Sequence, residues 1–297
     1  MGKNCFFDDF EEFTKEINFD FSKHSTIGVG GVAKIAFYPE DETRLKLLIN
    51  RLKEKEIGYI VVGNMSNVLP SDKPSGKAII STKKMIASQI GQKTYFSAGI
   101  MSGCLLRACR YAQKSGVEFL AGIPCTLGGA LYMNAGVNGR YIAEIVDKVV
   151  VYRDGEVIEL KTEECGYAYK NSLFMQTNDI ILGAFLRLTD SDIKSIREQE
   201  IEYLKRRSCL PKGKSMGCVF KNVEVNGERM SAGMYIDRAG LKGARCGGAY
   251  VSQEHANFII NDGSATAIDI CSLISHIKQE VYARYQIVLQ EEIRYLE

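Results

Sequence analysis

The segment Gly122–Ala130 constrains the fold of this chain more than any other. It reads Gly-Ile-Pro-Cys-Thr-Leu-Gly-Gly-Ala and continues to Gly136, which places glycines and small side chains where a strand is expected to turn into a helix. Glycine lets the backbone approach a bound group closely, and the amides at a helix N-terminus favour an anion. A helix that begins near Gly128 would direct unpaired amides toward a phosphate-bearing ligand.

Two further glycine-rich turns precede this segment. Gly28–Gly31 reads Gly-Val-Gly-Gly, and Gly63–Asn67 reads Gly-Asn-Met-Ser-Asn directly after the apolar run Tyr59–Val62. A single Gly-Gly pair is most simply explained by a tight turn. Three glycine-rich turns in one half of the chain instead favour a shared ligand. The amide and hydroxyl side chains of the second turn can help to hold a diphosphate, with an Asx-type turn as the alternative.

Composition favours small-molecule chemistry. The 297 residues carry a net charge of +2, which offers no field suited to nucleic acid or a membrane surface. No apolar run approaches the roughly 20 residues needed to cross a bilayer, and the first residues do not resemble a signal peptide, so we expect a cytoplasmic protein. Nine cysteines without a CxxC and three scattered histidines predict neither disulfides nor a metal site. No pattern predicts an oligomeric state.

Alternating strand and helix patterns predict an α+β protein with two domains. Residues 1–190 would form the first domain, in two α/β lobes of about 1–82 and 83–190, with a hairpin at Asp154-Gly155. Residues 191–207 have a helical, charge-rich pattern, with Ile193, Ile196, Ile201 and Leu204 as the apolar stripe, and would connect it to a smaller domain at 208–297. In that second domain, Cys218–Phe220, Asn257–Ile260 and Ile287–Leu289 are predicted strands, and 232–239 and 265–285 predicted helices.

The glycine loops do not match the common nucleotide-binding motifs. GxGxxG is absent after every predicted strand, which argues against an ordinary Rossmann site. Gly213-Lys214-Ser215 resembles the end of a P-loop, but Ser208 occupies the position where that motif requires glycine. Several glycine-rich loops from two small lobes therefore suggest a flavin dinucleotide that lies across both.

A family resemblance adds to this interpretation. The motifs that carry it cover the chain from about Phe21 to its end. They are similar, in order, to those of UDP-N-acetylenolpyruvoylglucosamine reductases, the MurB family, and the short spacing after Ser172 is similar to its second type. The motifs are Ser25-Thr-Ile-Gly-Val-Gly-Gly31, Gly63-Asn-Met-Ser-Asn67, Gly122-Ile-Pro-Cys-Thr-Leu-Gly-Gly-Ala130, Met133-Asn-Ala-Gly136, Gly217-Cys-Val-Phe-Lys-Asn222, Ala239-Gly-Leu-Lys-Gly243, Gly247-Gly-Ala-Tyr-Val-Ser252, His255-Ala-Asn-Phe258 and Glu292-Ile-Arg294.

The resemblance implies both a fold and a reaction. The fold would be a two-lobed FAD-binding domain of the vanillyl-alcohol-oxidase type followed by a smaller α+β substrate-binding domain. NADPH would reduce noncovalently bound FAD, and the flavin would pass hydride to the enolpyruvyl C3 of the UDP-sugar while an enzyme acid protonates C2. The cofactor would carry the difficult step.

The resemblance also implies catalytic residues. Cys218 stands where the family has a serine acid, and a thiol with a reference pKa near 8.5 is competent to donate a proton. A buried small residue is the alternative role for Cys218.

Lys170 stands where the family has arginine and offers a point charge instead of a bidentate fork. Either it keeps that role, or Arg153, Arg187 or Lys221 shares it; ordinary surface exposure is the alternative. Glu292 aligns with the family's glutamate and would assist the enolate. The adjacent Glu291 is the alternative for that position.

Ligand contacts follow from the same motifs. We expect the cofactor to contact Gly63, Asn64, Ser66, Asn67, Gly122, Thr126, Gly128, Gly129, Ala130, Asn134 and Tyr169. We expect the UDP-sugar to contact Lys221, Asn222, Gln253, His255 and Asn257, although His255 could equally be structural. Two other functions remain open: another flavin oxidoreductase of the same fold, for which Cys125 is the nearest covalent tether, and a flavin-binding module without catalysis.

Overall fold

The computed structural model describes residues 9–297, which group into two compact units. The first unit comprises the described chain through Phe19, Lys34–Asn64 and Gly76–Arg206. The second comprises Asp20–Ala33, Met65–Ser75 and Arg207–Glu297. Each unit is discontinuous in sequence, which differs from a simple division near residues 190–208, because two early segments fold with the C-terminal part of the chain.

A mixed sheet and one helix form the N-terminal lobe. Four strands follow in the order Lys15–Asp20, Val32–Phe37, Ala78–Ser81 and Tyr59–Val62, and Ala78–Ser81 pairs in parallel with both of its neighbours. The helix Glu42–Glu54 begins where the Asp41 side chain accepts a hydrogen bond from the Arg44 amide. Its four buried side chains recur at intervals of three or four residues, as an amphipathic helix requires. They are Leu45, Leu48, Ile49 and Leu52.

The second lobe contains a five-stranded antiparallel sheet. Its order is Glu156–Lys161, Val146–Arg153, Ile180–Leu186, Thr94–Ser97 and Ser88–Gln89. Asp154 and Gly155 join the first two strands with φ values of 49° and 100°, the left-handed conformations that a type I′ hairpin turn needs. The predicted hairpin is confirmed.

Both faces of this sheet are buried. The strand Val146–Arg153 contributes Val149 and Val151 to the core of the second lobe, whereas Val150 and Tyr152 belong to the core of the N-terminal lobe. Successive side chains of a strand point to opposite faces, so a single strand can serve two cores. The sheet thereby joins the two lobes of the first unit.

The second unit has its own core. Two helices, Ala232–Arg238 and Ala267–Tyr285, contribute to that core with a three-stranded antiparallel sheet. The strands of that sheet are Arg245–Cys246, Ala249–Val251 and Ile259–Asn261. A hairpin pairs Val223–Val225 with Glu228–Met230, and Arg294–Leu296 pairs in parallel with Val68–Pro70.

Two predicted strands of the second unit are not formed. Ile287–Leu289 has no ladder partner among the described residues, and of its three residues only Leu289 is buried. The apolar side chains suggested a strand, but burial of one side chain does not require a paired backbone. Cys218–Phe220 is extended and makes only isolated bridges, one at Cys218 and one at Phe220.

Short elements complete the fold. Two-residue strands pair Lys114–Ser115 with Thr189–Asp190 and Gly136–Val137 with Arg140–Tyr141. The remaining α-helices are Phe21–His24, Ser102–Tyr111, Leu127–Tyr132 and Ile193–Arg207. The 3₁₀ helices are Thr82–Lys84, Glu118–Leu120, Ile142–Glu144, Thr162–Cys165 and Leu173–Met175. Within residues 9–297, no helix combines the length and apolar character that crossing a bilayer requires.

Candidate active site

The glycine-rich helix does not present unpaired amides at its start. The helix spans Leu127–Tyr132, and Thr126, fully buried, caps it by accepting from the Gly129 amide at 3.2 Å. The Leu127 amide donates to the Ile100 carbonyl and the Gly128 amide to the Ala98 carbonyl, at 2.9 and 2.8 Å. Our expectation of free amides at Gly128 is therefore wrong: the glycines here permit close packing between protein segments.

The preceding turn has the free amides instead. The backbone amides of Asn64, Met65 and Ser66 donate no hydrogen bond to any residue that the structure describes. Met65 has a φ of 49°, and a left-handed residue within a turn is one element of the amide concavities that bind phosphate. This segment, more than the helix start, has the backbone groups that a diphosphate needs.

Gly63 and Asn64, the first two residues of the preceding turn, contact the second turn within the first unit. A Cβ at Gly63 would overlap the Thr126 hydroxyl, so only glycine allows this approach. The Asn64 side-chain amide donates to the Pro124 carbonyl at 2.7 Å. Gly128 in turn packs on Ala98, whose Cβ would lie 2.9 Å from an added methyl group. Glycine at these positions brings the predicted cofactor loops together.

Lys170 lies at the tip of a tight turn. Ala168 and Asn171 exchange two backbone hydrogen bonds of 3.1 and 3.2 Å, which leaves Tyr169 and Lys170 as the two turn residues. Lys170 has a φ of 51°, a conformation that a side chain with a Cβ rarely adopts.

Two side chains fix this turn to the glycine-rich helix and the residues after it. Asn134, buried, donates from Nδ2 to the Ala168 carbonyl at 2.8 Å and accepts from the Ala143 amide at Oδ1. Ser172, fully buried, donates to the Tyr132 carbonyl at 2.6 Å. We expected Asn134 to line the cofactor, but its side-chain amide is used to hold the Lys170 turn.

In the second unit, two hydrogen-bonded segments carry the residues expected to act as acid and carboxylate. Cys218 pairs with Phe258 across a β-bridge, and Val219 accepts at its carbonyl from the Glu292 amide at 2.7 Å. The Lys221 amide donates to the Gln290 carbonyl at 2.8 Å. Cys218 and Glu292 therefore lie on neighbouring, hydrogen-bonded stretches of backbone. Both residues are half-buried.

Contacts distinguish the two adjacent glutamates. Glu291 forms an ion pair with Lys278 at 2.9 Å. Glu292 instead has its backbone fixed at both ends, because its carbonyl also accepts from the Asn67 side-chain amide at 3.1 Å. The Glu292 backbone is thereby hydrogen-bonded both to the segment that carries Cys218 and to Asn67. The second of these hydrogen bonds gives Asn67, expected at the diphosphate, a contact inside the second unit.

Asn257 and His255 hold the backbone around Cys218. Asn257 is buried and makes two side-chain hydrogen bonds with the backbone of Phe220. His255 accepts from the Asn257 amide at Nδ1, at 3.3 Å, and its ring lies edge-on to Phe258. Burial lowers the pKa of His255, which favours the neutral imidazole. These contacts favour the structural alternative for His255.

Comparisons with known proteins agree with this architecture. Residues 210–296 match the family described as UDP-N-acetylenolpyruvoylglucosamine reductase, C-terminal domain, and residues 33–161 match the FAD binding domain family. The reductase of Geobacter metallireducens is 35% identical over 92% of this chain and 91% of its own length. That of Carboxydothermus hydrogenoformans is 34% identical over 96% and 97%. The crystal structure of the Thermus caldophilus reductase is 32% identical, has a TM-score of 0.80, and covers 96% of this chain and 99% of that one.

The chain belongs to the UDP-N-acetylenolpyruvoylglucosamine reductase family. The expected α+β fold, with a FAD-binding domain of the vanillyl-alcohol-oxidase type before a substrate-binding domain, is confirmed. FAD is the cofactor of this family member, an expectation that is also confirmed. The close approach of Gly63 to Thr126 and the free amides of the neighbouring turn fit a diphosphate-bearing cofactor.

Three other residues that the sequence suggested for the site have ion-pair or hydrogen-bond partners within the protein. Arg153 forms a bidentate ion pair with Asp179, whose pKa is lowered by those hydrogen bonds, and Arg187 pairs with Asp147. Each of the two arginines therefore has a carboxylate partner within the first unit. Asn222 accepts at Oδ1 from the Ala232 amide.

The remaining predicted ligand residues have varied environments. Gln253 is exposed, and its amide nitrogen covers Gly243; Lys221 and Tyr169 are half-buried. Gly122 is exposed with a φ of 76°, Ala130 is buried inside the short helix, and Cys125 is buried. Among the described residues, no group of three or more histidine, cysteine or acidic side chains could hold a metal ion.

The sequence interpretation missed two residues that shape this reductase site. Gly99 donates to the Met85 carbonyl at 2.9 Å, and a Cβ there would overlap the Thr82 carbonyl. Ser172 was used only to measure loop spacing, yet it secures the Lys170 turn. The adjacent small residues Ala98 and Gly99, directly after the strand Thr94–Ser97, are a signal of close packing.

Proposed function

We propose that this chain catalyses the NADPH-dependent reduction of UDP-N-acetylenolpyruvoylglucosamine to UDP-N-acetylmuramic acid, a step of peptidoglycan synthesis. The observation that carries the proposal is the match to reductases of this family over more than nine-tenths of the chain. Function must still be argued from the site, and the groups in both units are of the required types.

The cofactor-binding residues belong to the glycine-rich turns. Bound FAD would supply the redox chemistry, which is the transfer of hydride from NADPH to the enolpyruvyl C3. We assign the diphosphate to the turn at Gly63–Ser66, where consecutive amides are free among the described residues. Thr126 and Gly129 are assigned to the second cofactor loop. Cys125 is buried, and we expect a noncovalent cofactor that acid precipitation releases completely.

Cys218 is the proposed acid. Addition of hydride at C3 leaves an enolate, and a proton must then reach C2. The Cys218 thiol can donate that proton and become a thiolate, which solvent reprotonates. Its position in the extended segment beside Glu292 supports the assignment.

Lys170 and Glu292 are the proposed partners of the enolate. Negative charge develops on a system that includes the substrate carboxylate, and an ammonium group fixed on a tight turn stabilises it electrostatically. Lysine gives this charge without the bidentate geometry of arginine. Glu292 would complete the set, because its backbone amide donates to the carbonyl of Val219, the residue after Cys218. Lys221 and Gln253 are the polar side chains that we assign to the UDP-sugar.

We also infer a cytoplasmic reaction, because UDP-sugars and NADPH are metabolites of that compartment. Fractionation of cells that produce the protein should recover it with the cytoplasmic markers. Recovery with the membrane fraction after high-salt washing would contradict this location.

Flavin spectroscopy tests the function. Under anaerobic conditions, NADPH should bleach the flavin absorbance of the purified holoenzyme, and UDP-N-acetylenolpyruvoylglucosamine should restore it. UDP-N-acetylglucosamine is the matched control, since it has the same nucleotide sugar without the enolpyruvyl group and should leave the flavin bleached. A bleached flavin that does not respond to the enolpyruvyl substrate would sink the proposal.

A further inference from the structure

Asn257 uses its side chain to clamp one residue of the backbone. Its Oδ1 accepts from the Phe220 amide at 2.9 Å, and its Nδ2 donates to the Phe220 carbonyl at 2.8 Å. The residue is only 3% exposed. Because both functions of the carboxamide are directed at the backbone of one residue in a buried setting, loss of either bond leaves a buried polar group unpaired.

This clamp lies at the centre of the arrangement that presents Cys218 and Glu292. The Asn257 carbonyl accepts from the Val219 amide at 2.9 Å, and the Val219 carbonyl accepts from the Glu292 amide at 2.7 Å. Cys218 is the residue directly before Val219 and is bridged to Phe258, the residue directly after Asn257. The backbone of both proposed functional groups is thus held through Asn257.

We propose that Asn257 is a positioning residue for protonation at C2, and not the substrate ligand that the sequence suggested. This inference rests on the proposed function. Its carboxamide sets where the Cys218 thiol stands relative to Glu292, while substrate affinity depends on other side chains. Displacement of a catalytic group by about 1 Å can slow a reaction by about a hundredfold, so this clamp affects rate more than binding.

Asn257→Asp tests the clamp with little change of shape. An ionised carboxylate still accepts from the Phe220 amide but cannot donate to the Phe220 carbonyl. A protonated carboxyl restores both bonds. Burial raises the pKa of the introduced carboxyl, which brings its titration toward accessible pH. We expect flavin reoxidation by the UDP-sugar to be at least tenfold slower at pH 8 and to recover as pH falls, with reduction by NADPH within about twofold of wild type.

Asn261→Asp is the matched control. Asn261 is also buried in the second unit, and its Nδ2 donates to the Ile27 and Gly28 carbonyls, so it has the same chemistry but does not contact the Cys218 segment. This variant should lose stability without changing the ratio of the two half-reaction rates. If Asn257→Asp is too unstable to purify, Asn257→Ser should give the same selective loss.

Two further measurements separate positioning from other roles. The solvent deuterium isotope effect on reoxidation should rise in Asn257→Asp, because proton donation becomes slower relative to the other steps. Equal losses in both half-reactions, or a weaker apparent affinity for UDP-sugar with an unchanged rate at saturation, would overturn the inference. A wild-type-like Asn257→Asp would do the same while leaving the proposed function standing. A wild-type protein that the UDP-sugar does not reoxidise would overturn both.

Discussion

Lys170 occupies a left-handed backbone conformation in a turn that Asn134 and Ser172 hold from outside. This conformation costs a residue with a Cβ about 1–2 kcal/mol relative to the common regions. Glycine would avoid that cost, so retention of lysine suggests that its side chain is needed. Strained residues of this kind concentrate at functional sites.

Substitutions at position 170 separate the strain from the charge. Lys170→Gly and Lys170→Ala both remove the ammonium group and should slow reduction of the UDP-sugar at least tenfold, by loss of electrostatic stabilisation. Glycine alone relieves the backbone, so Lys170→Gly should be more stable than Lys170→Ala by about 1 kcal/mol in urea unfolding. Lys170→Arg should retain most activity. Equal stability of the glycine and alanine variants would contradict the strain argument.

Substitutions of Cys218 test the proposed acid. Cys218→Ala should slow product formation by about a hundredfold, the contribution expected of a general acid, and leave flavin reduction by NADPH nearly intact. Cys218→Ser keeps a hydroxyl proton donor and should remain active. Stopped-flow absorbance of the flavin measures both half-reactions. An alanine variant that loses both equally would indicate a structural role for this thiol.

Asparagines show where inference from the sequence was limited. Asn67, Asn134 and Asn257 lie in the motifs expected to bind ligands, and each donates from its side chain to a backbone carbonyl. A carboxamide has the same donors and acceptors for a ligand as for its own protein. Only the folded structure shows which backbone group each asparagine side chain contacts. Cys218, by contrast, is singled out by its place in a sequence motif.

The glycine-rich helix Leu127–Tyr132 is fixed by packing more than by anion binding. Its first amides are satisfied by Ala98, Ile100 and Thr126. The sequence correctly indicated a helix after the turn and a need for close approach. It could not indicate that the glycines approach Ala98, at the end of a strand in the same lobe.

Alanine substitutions at adjacent glycines test this packing. In Gly128→Ala, the new methyl group would lie 2.9 Å from the Ala98 Cβ and 3.2 Å from its carbonyl oxygen, so overpacking should cost about 1–3 kcal/mol. In Gly129→Ala, the nearest atom is the Thr126 hydroxyl at 3.3 Å, and helix propensity offsets the crowding to within about 1 kcal/mol. Thermal unfolding and bound flavin absorbance should both be affected more by Gly128→Ala. The reverse order would contradict the packing account.

The helix Ile193–Arg207 shows an error in the predicted apolar face. Ile193, Ile201 and Leu204 were expected to be buried with Ile196, but they are 45%, 54% and 49% exposed. Glu200 is buried instead and pairs with Arg110. The periodic isoleucines correctly indicated a helix. Periodicity cannot identify a buried ion pair, because it counts the charged residue as polar surface.

Stability of the whole protein should depend on the protonation of His255. Its pKa is lowered in the folded state by burial, so the folded protein holds fewer protons than the unfolded chain just below pH 6.5. This contribution is fully present above about pH 6.5 and is lost as pH falls toward the folded value. Urea unfolding between pH 8 and 5 should show the loss.

His255→Gln should flatten that part of the pH profile, since glutamine does not titrate. His276, which is exposed on the helix Ala267–Tyr285, supplies the control substitution His276→Gln. The control shows how much of any change follows from replacing an exposed histidine by glutamine. A His255→Gln profile that still falls as steeply as the wild type between pH 6.5 and 5.5 would exclude His255 as the cause.

The fold class was predictable from the whole chain, whereas the composition of its units was not. Many short motifs in a fixed order identified the family, and strand and helix patterns gave an α+β protein. The second unit also contains Asp20–Ala33 and Met65–Ser75, which local patterns cannot assign to it. Such assignments depend on pairings between residues that are distant in sequence, including Asn261 with Ile27.

The parallel pairing of Val68–Pro70 with Arg294–Leu296 has a consequence for biosynthesis. A ribosome releases the first of these strands long before the second, at about 5–20 residues per second. During that interval the early strand lacks its partner, and an unpaired strand edge is a template for association with other chains. The nascent protein is therefore open to association through this strand until Arg294–Leu296 has been made, and a chaperone that covers the early strand during that interval would protect it.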